Sequence, residues 1–189
     1  MFYASWRRID TPGHDAARVY RVADGWRLEG RAVFAHDEGG ARINYWVECT
    51  TEWETRTGGV TGWIGQSRCE IRITRGDDGR WYVDGRAVDG LDGCIDLDFG
   101  FTPATNFLQL RRCNLGIGDI TNFAVAWTDV PDVRLTALPQ HYERRTVDTY
   151  WYDSPQTPYS ALLTIAESGF VRHYPGLWVM DTSASGGGE

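Results

Sequence analysis

The chain predicts an all-β fold: a single curled antiparallel sheet forming a roll or incomplete barrel, with little helix. Three observations point there. Apolar and polar residues alternate in short stretches along most of the sequence, the period of a strand with one buried face. Asp-Gly, Gly-Gly and similar turn formers separate those stretches. No amphipathic run of helical period reaches a useful length. A sheet of more than about ten strands tends to curl or close, and a large curl can keep room inside for a ligand.

Taken in order, residues 18–22 and 26–34 flank the hairpin turn Asp24-Gly25, with Trp26, Leu28, Gly30, Ala32 and Phe34 on one face. His36-Asp37-Glu38-Gly39-Gly40 is a polar loop. Ile43, Tyr45, Val47 and Cys49 then alternate with polar or outward residues as a clear strand. Residues 50–56 are expected to extend that ribbon, Gly58-Gly59 to break it, and residues 60–64 to resume it. Cys69, Ile71 and Ile73 mark the next strand, Gly76-Asp77-Asp78-Gly79 a turn, Trp81-Tyr82-Val83 a short strand, and Asp84-Gly85 a tight turn. Residues 114–118 are too rich in glycine for a helix, and residues 119–124 are the place expected for a short helical turn. Further strands follow at 125–127, 133–138, 140–146 and 149–152, and a last hairpin at 161–165 and 170–174. Residues 1–180 read as one domain, and 181–189 as a Ser/Gly tail expected to be disordered.

The centre is residues 92–113. Ile95, Leu97, Phe99 and Phe101 alternate with Cys94, Asp96, Asp98 and Gly100; a turn-forming stretch follows, and residues 107–112 alternate again. The expectation is a hairpin pairing Phe101 with Leu108, Phe99 with Leu110 and Leu97 with Arg112, which sets Asp98 opposite Arg111. Arg112 then falls on the apolar side, where an unpaired charge is costly. A bulge would return it to water, or it would meet a lipid headgroup or an internal carboxylate. Asp96 and Asp98 would project from one face about 7 Å apart, given the strand rise. They read as solvent-facing acids, or as an acid pair near the spacing that glycoside hydrolases use. Thr105 and Asn106 are read as caps of the turn.

Composition narrows the function. The net charge of −7 disfavours nucleic acid and anionic membrane surfaces as partners, because both reward basic patches. All nineteen basic residues are arginine, which excludes lysine Schiff-base chemistry. Cys49, Cys69, Cys94 and Cys113 lack zinc spacing. The start of the chain has no apolar leader core and no stretch spans a membrane, so reduced thiols in a cytoplasmic protein are expected. A Cys94–Cys113 disulfide is the one pairing the hairpin register would permit. His14, His36, His141 and His173 show no metal motif, and neither a nucleophile elbow nor a phosphate loop occurs, so no cofactor is expected. Nine Trp, nine Tyr and seven Phe are many for 189 residues. Trp53, Trp63, Trp81 and Trp178 are each plausible core residues, yet together exceed what a small core needs. Tyr150-Trp151-Tyr152 puts rings on both faces of one strand, leaving a face for a cavity or a subunit contact.

The run Asp96-Leu97-Asp98-Phe99-Gly100-Phe101-Thr102-Pro103-Ala104-Thr105-Asn106, followed by Leu110-Arg111-Arg112, resembles the signature of the bacterial putative glycolipid-binding family. Tyr174-Pro175-Gly176-Leu177-Trp178 is similar to that family's C-terminal motif. Trp53-Glu54-Thr55-Arg56 resembles its tryptophan–arginine segment, with Glu54 in place of the more usual basic residue. The resemblance spans about Arg18 to Trp178. It implies an all-β protein similar in fold to bacterial lipoprotein carriers, with an apolar cavity that binds lipid or glycolipid. Joined to the residue readings above, it makes Trp53, Arg56, Trp63, Asp96, Asp98, Asn106, Arg111, Arg112, Tyr152 and Trp178 the candidate ligand-binding set. The expected function is a non-enzymatic lipid or glycolipid carrier. The alternatives are a glycoside or ester hydrolase using Asp96 and Asp98, or a β scaffold whose aromatics serve homodimerisation.

Overall fold

The computed structural model describes residues 1–181 together with the backbone of Gly186–Gly187. One-sided alternation builds the first half. In β1 (Phe2–Arg8), β2 (Gly13–Val22), β3 (Gly25–His36) and β4 (Gly39–Cys49), the inward residues Ala4, Trp6, Ala17, Val19, Leu28, Ala32, Ile43, Tyr45 and Val47 are buried. Ala16, Arg18, Arg31 and Val33 between them face water. A one-residue slip would exchange these two sets, so the register is strongly specified.

The remaining strands are β5 (Thr55–Ile64), β6 (Ser67–Arg75), β7 (Trp81–Val83), β8 (Arg86–Val88) and β9 (Leu97–Phe99). After the one helix of the described residues, α1 (Asn106–Cys113), come β10 (Ile120–Thr128), β11 (Thr136–Arg144), β12 (Thr149–Ser154), β13 (Tyr159–Ile165), β14 (Val171–Tyr174), β15 (Trp178–Met180) and β16 (Gly186–Gly187). They form one sheet in the order β8-β7-β6-β5-β4-β3-β2-β1-β15-β14-β13-β12-β11-β10-β9, with β16 also on β1. Among the described residues the β9–β10 pair alone is parallel. The sheet is not closed into a barrel, but it curls far enough to bring β9 back towards β5. The Leu97 N–H donates to Thr55 Oγ1 at 3.0 Å, and the Thr55 N–H donates to the Ile95 carbonyl at 3.3 Å. On β9 the Phe99 N–H likewise donates to Thr105 Oγ1 at 3.3 Å, so two side-chain hydroxyls occupy amides on the strand's unpaired side.

The expected central hairpin does not form. Residues 106–113 are α1, and β9 pairs with β10 through Leu97↔Ala126, Asp98↔Trp127 and Phe99↔Thr128. The sequence Asn-Phe-Leu-Gln-Leu-Arg-Arg-Cys contains no β-branched residue and is rich in helix formers. Asn114 adopts a left-handed conformation at its end and donates its N–H to the Leu110 carbonyl, while Arg111 and Arg112 sit in the last turn, favourable to the helix dipole. Without that hairpin Cys94 and Cys113 are not opposed, and all four cysteines are free. Burial pushes the Cys49 and Cys94 thiols up to about 12 and about 11.

Other departures have equally local causes. Gly58 and Gly59 lie within β5 rather than breaking it: a Cβ on Gly58 would run into the Leu97 side chain, and one on Gly59 would meet Trp46 Nε1 at 2.8 Å. These glycines mark close approach inside a strand. Residues 50–54 turn instead of extending the ribbon, with a register shift at Glu48/Cys49. The helical turn expected at 119–124 is the start of β10, and the two strands expected at 133–146 are the single β11, which runs through Pro139. Within the Ser/Gly tail, 182–185 and 188–189 lie outside the described residues, and Gly186–Gly187 pairs with Tyr3 and Phe2.

The hollow of the curl is occupied by α1 and the segment leading to it. Leu97, Phe99, Phe101, Phe107 and Leu108 are all fully or almost fully buried there. One polar latch holds the segment. Asp15 on β2 accepts hydrogen bonds from Tyr45 at 2.7 Å and from Thr102, and Thr102 Oγ1 also caps the Ala104 N–H at 3.0 Å. The other Asp15 oxygen is buried without a partner among the described residues. Burial raises the Asp15 pKa to about 6, against the pull of Thr102 and Tyr45. Because that value lies above the unfolded one, the contribution of Asp15 to stability is complete below about pH 4 and is lost as pH rises through about 6. Asp15→Asn is therefore expected to gain on the parent by up to roughly 3 kcal/mol between pH 4 and pH 8. Urea midpoints at both pH values measure this, and a pH-independent difference would show that Asp15 does not titrate in this range.

Candidate functional site

The motif segment delivers four polar side chains to separate partners. Asp96 is buried and accepts a bidentate pair from Arg112: Nε to Oδ1 at 2.8 Å and Nη2 to Oδ2 at 2.7 Å. Arg112 thus meets an internal carboxylate, which removes the problem of an apolar-side charge. Burial pushes the Asp96 carboxyl up and Arg112 pulls it back; burial acts to lower Arg112, and the same contact outweighs it and raises Arg112. Asp98 is buried too. It accepts from Thr105 Oγ1 at 2.6 Å and from Gln140 Nε2 at 2.9 Å. Burial raises its pKa, and Thr105 and Gln140 oppose that shift. Asn106 Nδ2 donates to the Tyr142 hydroxyl at 2.8 Å, which in turn donates to Gln109 Oε1 at 2.8 Å. The fourth, Thr102, makes the latch to Asp15 described above.

The reading of Asp96 and Asp98 as solvent-facing acids is therefore overturned, as is the Asp98–Arg111 pair. The cause is the helix: α1 lies over this end of β9 and supplies Arg112 and Gln109 to the same layer. Arg111 turns elsewhere, donating to the Ser168 carbonyl at 3.0 Å.

Beside Asp98 lies a hollow of about 230 Å³ between the turn that enters α1, the ends of β11 to β13, and the β14–β15 hairpin. Its walls are rings. Tyr152, Tyr159 and Tyr174 pack with centroids 5.3 to 6.1 Å apart, and Trp127, Trp178 and Phe99 add further rings beside Leu138 and Leu177. Asp98, Asn106, Thr102 and Ser154 supply polar groups, and half-buried Asp129 adds a second carboxylate. Gly100 lets Asp129 come close, since a Cβ there would lie 2.7 Å from Oδ2. Burial raises the Asp129 pKa to about 6, with the Val130 N–H and Arg8 acting against it. Burial likewise raises Tyr159 to about 12 and lifts Tyr152 and Tyr174, so these phenols stay neutral donors and acceptors. Arg8, paired with Asp10 at 2.8 Å, covers the Trp178 ring at 5.4 Å. Flat rings beside carboxylate, amide and hydroxyl groups suit a small polyhydroxylated ring: its apolar face stacks and its hydroxyls hydrogen-bond.

Of the ten candidate residues, Asp98, Asn106, Tyr152 and Trp178 come together at this hollow. Trp53 instead stacks on Trp26 at 4.4 Å and meets Phe107 edge-on at 5.7 Å. Arg56 and Trp63 are exposed on β5, and Trp63 does not line the hollow. Asp96 and Arg112 are consumed by each other, and Arg111 lies at the other end of α1. Sequence reasoning missed Tyr159, Asp129 and Gln140. Tyr174 and Thr102 stood in the quoted motifs without a role. Among the described residues no group of three or more His, Cys, Asp or Glu is arranged to hold a metal, and no helix is long and apolar enough to cross a membrane.

One curled sheet around a helix, with a ring-walled polar hollow at its end, defines a nearly all-β protein. The chain belongs to the family described as "Putative glycolipid-binding", whose model matches residues 3–179. It is also similar to the crystal structure of a DUF1089 family protein from Pseudomonas aeruginosa. The TM-score is 0.76 at 22% identity, over 87% of this chain and 91% of that one, a likeness that establishes the fold. No curated protein matches.

Proposed function

We propose that the protein binds a glycolipid non-enzymatically, by its sugar head group, in the tyrosine- and tryptophan-walled pocket beside Asp98. The supporting observation is the union of buried Asp98 and Asn106 with the rings of Tyr152, Tyr159 and Tyr174 around about 230 Å³. That volume is below the roughly 300–1,000 Å³ of pockets that enclose drug-sized ligands, so it suits one ring and not an acyl chain. With α1 in the hollow of the curl, the acyl chains would stay outside, in a bilayer or along the surface. An acid/base pair of Asp96 and Asp98 finds no support: Asp96 is clamped by Arg112, and both Asp98 oxygens accept hydrogen bonds.

The test is calorimetric titration with octyl glucoside, galactoside and mannoside below their micelle thresholds, alongside the matching methyl glycosides. At least one sugar should bind with or without its chain. Tyr152→Ala should weaken that binding by about tenfold to a hundredfold, the worth of one buried ring, and Asp98→Asn should weaken it while leaving the fold intact. Binding that follows chain length and ignores both substitutions would refute the head-group reading. Release of free sugar would replace binding by hydrolysis, with Asp98 and Asp129 as the carboxylates to examine.

A further inference from the structure

A second cleft, of about 630 Å³, opens at the opposite end of α1 and β12. Asn106 begins the helix at the aromatic pocket, whereas Leu110, Arg111 and Asn114 close it here. Along β12, Ser154 lines the first site and Tyr150 the second. Three guanidinium groups line this cleft, and they are not equivalent. Arg144 is consumed by backbone, donating to the carbonyls of Leu115 at 2.6 Å, Val147 at 2.9 Å and Thr146 at 3.2 Å. Among the described residues Arg111 has one hydrogen bond, to the Ser168 carbonyl, and lies over Phe2 at 5.0 Å and Phe107 at 4.9 Å with no carboxylate beside it. Its Nε is buried and unpartnered among the described residues. Arg172 is exposed and has no ion-pair partner among them. Two carboxylates share the cleft. Asp148 accepts from Thr146 Oγ1 at 2.8 Å, and Glu167 is exposed. A partly desolvated guanidinium without a counter-ion is an unfavourable arrangement that an oxyanion would relieve.

The rim supplies the second half of the argument. Arg144 ties the Leu115 and Val147 carbonyls together and accepts the Gly118 N–H at 2.8 Å on its own carbonyl, which brings two loops side by side. Those loops display Val147, 73% exposed, and Ile117, 65% exposed. Val147 lines the cleft together with Arg111 and Arg172, and Ile117 stands on the adjoining loop. Aliphatic side chains in water at the rim of a cleft with unpaired arginines match the layering of a lipid surface, where phosphate lies just outside the acyl boundary.

We propose that this cleft takes the phosphate of an anionic phospholipid at a bilayer surface, with Arg111 and Arg172 on its oxygens and Val147 and Ile117 entering the acyl boundary. The site is separate from the aromatic pocket and does not depend on what that pocket holds. The net charge of −7 of the whole chain disfavours an anionic surface overall, so attraction is confined to this cleft and the contact is weak and salt-sensitive.

Flotation of the full chain with phosphatidylcholine vesicles, with and without phosphatidylglycerol, tests this at low salt, and titration with inorganic phosphate tests the soluble source. Binding should require phosphatidylglycerol and fall with added salt. Arg172→Glu and Val147→Asp, both at exposed positions, should each weaken it by roughly tenfold or more. Phosphate binding that Arg172→Glu removes and Val147→Asp spares, without vesicle binding, would make this a site for a soluble anion and overturn the lipid assignment. Vesicle binding indifferent to Arg172→Glu, or no binding to either probe, would overturn it as well. Neither substitution touches the aromatic pocket, so sugar titrations on the same variants keep the two proposals apart.

Discussion

Arg112→Ala is expected to lose about 3–5 kcal/mol of stability, the usual consequence of removing one partner from a buried ion pair. The reason is Asp96. Its carboxylate is about 1% exposed, and it accepts all three of its hydrogen bonds from that guanidinium. Without Arg112, burial acts on Asp96 with Glu54 adding to it and only the charge of Arg75 opposing it, so its pKa moves further up, and the penalty for keeping it charged grows as pH rises towards neutrality. Chemical denaturation of Arg112→Ala at pH 5 and pH 8 should show the larger deficit at pH 8. The double variant Arg112→Met with Asp96→Leu should recover much of the loss, because a buried pair is often replaceable by apolar residues of similar volume. A single-variant loss under 1 kcal/mol would mean that Asp96 reaches water in solution.

Phe107→Ala should be comparably damaging, again about 3–5 kcal/mol. The Phe107 ring is fully buried and contacts Phe2 at 5.6 Å, Trp53 at 5.7 Å and Phe170 at 4.5 Å. These come from β1, the turn before β5 and the approach to β14, so one ring ties α1 to distant parts of the curl. Trp53 stacks on Trp26, and tryptophan emission should therefore change along with the urea midpoint. Phe107→Leu, which refills part of the volume, should lose less. A near-neutral Phe107→Ala would show that the hollow of the sheet is not held by the helix.

Both residues expose what the sequence could and could not reveal. The long strands are legible because their burial is one-sided: residues 43–49 alternate throughout, and in 26–34 Leu28, Ala32 and Phe34 are buried while Trp26 and Gly30 on the same face are partly so. The segment 107–112 is not, because six residues with apolar positions at 107, 108 and 110 satisfy a strand's alternation and a helical turn equally well. Choosing strand there carried Asp96, Asp98, Arg111 and Arg112 to the wrong neighbours at once. The true partners lie 16 residues away for Asp96, and 7 and 42 residues away for Asp98. Pattern within the segment carries no trace of the most distant one. The same holds for the pocket. Tyr152 and Trp178 stand out by composition, but Asp129 owes its place to a close approach at Gly100 that only the tertiary structure creates.

The hydroxyls of Thr55 and Thr105 have a further consequence. A terminal strand with bare amides invites another molecule to zip on and propagate into ordered aggregates. At β9 any such intruder would first have to evict two side chains already bound to Leu97 and Phe99. At the other margin β8 offers only three residues of template. The protein can thus carry an open-ended sheet of this size without seeding fibres from either border.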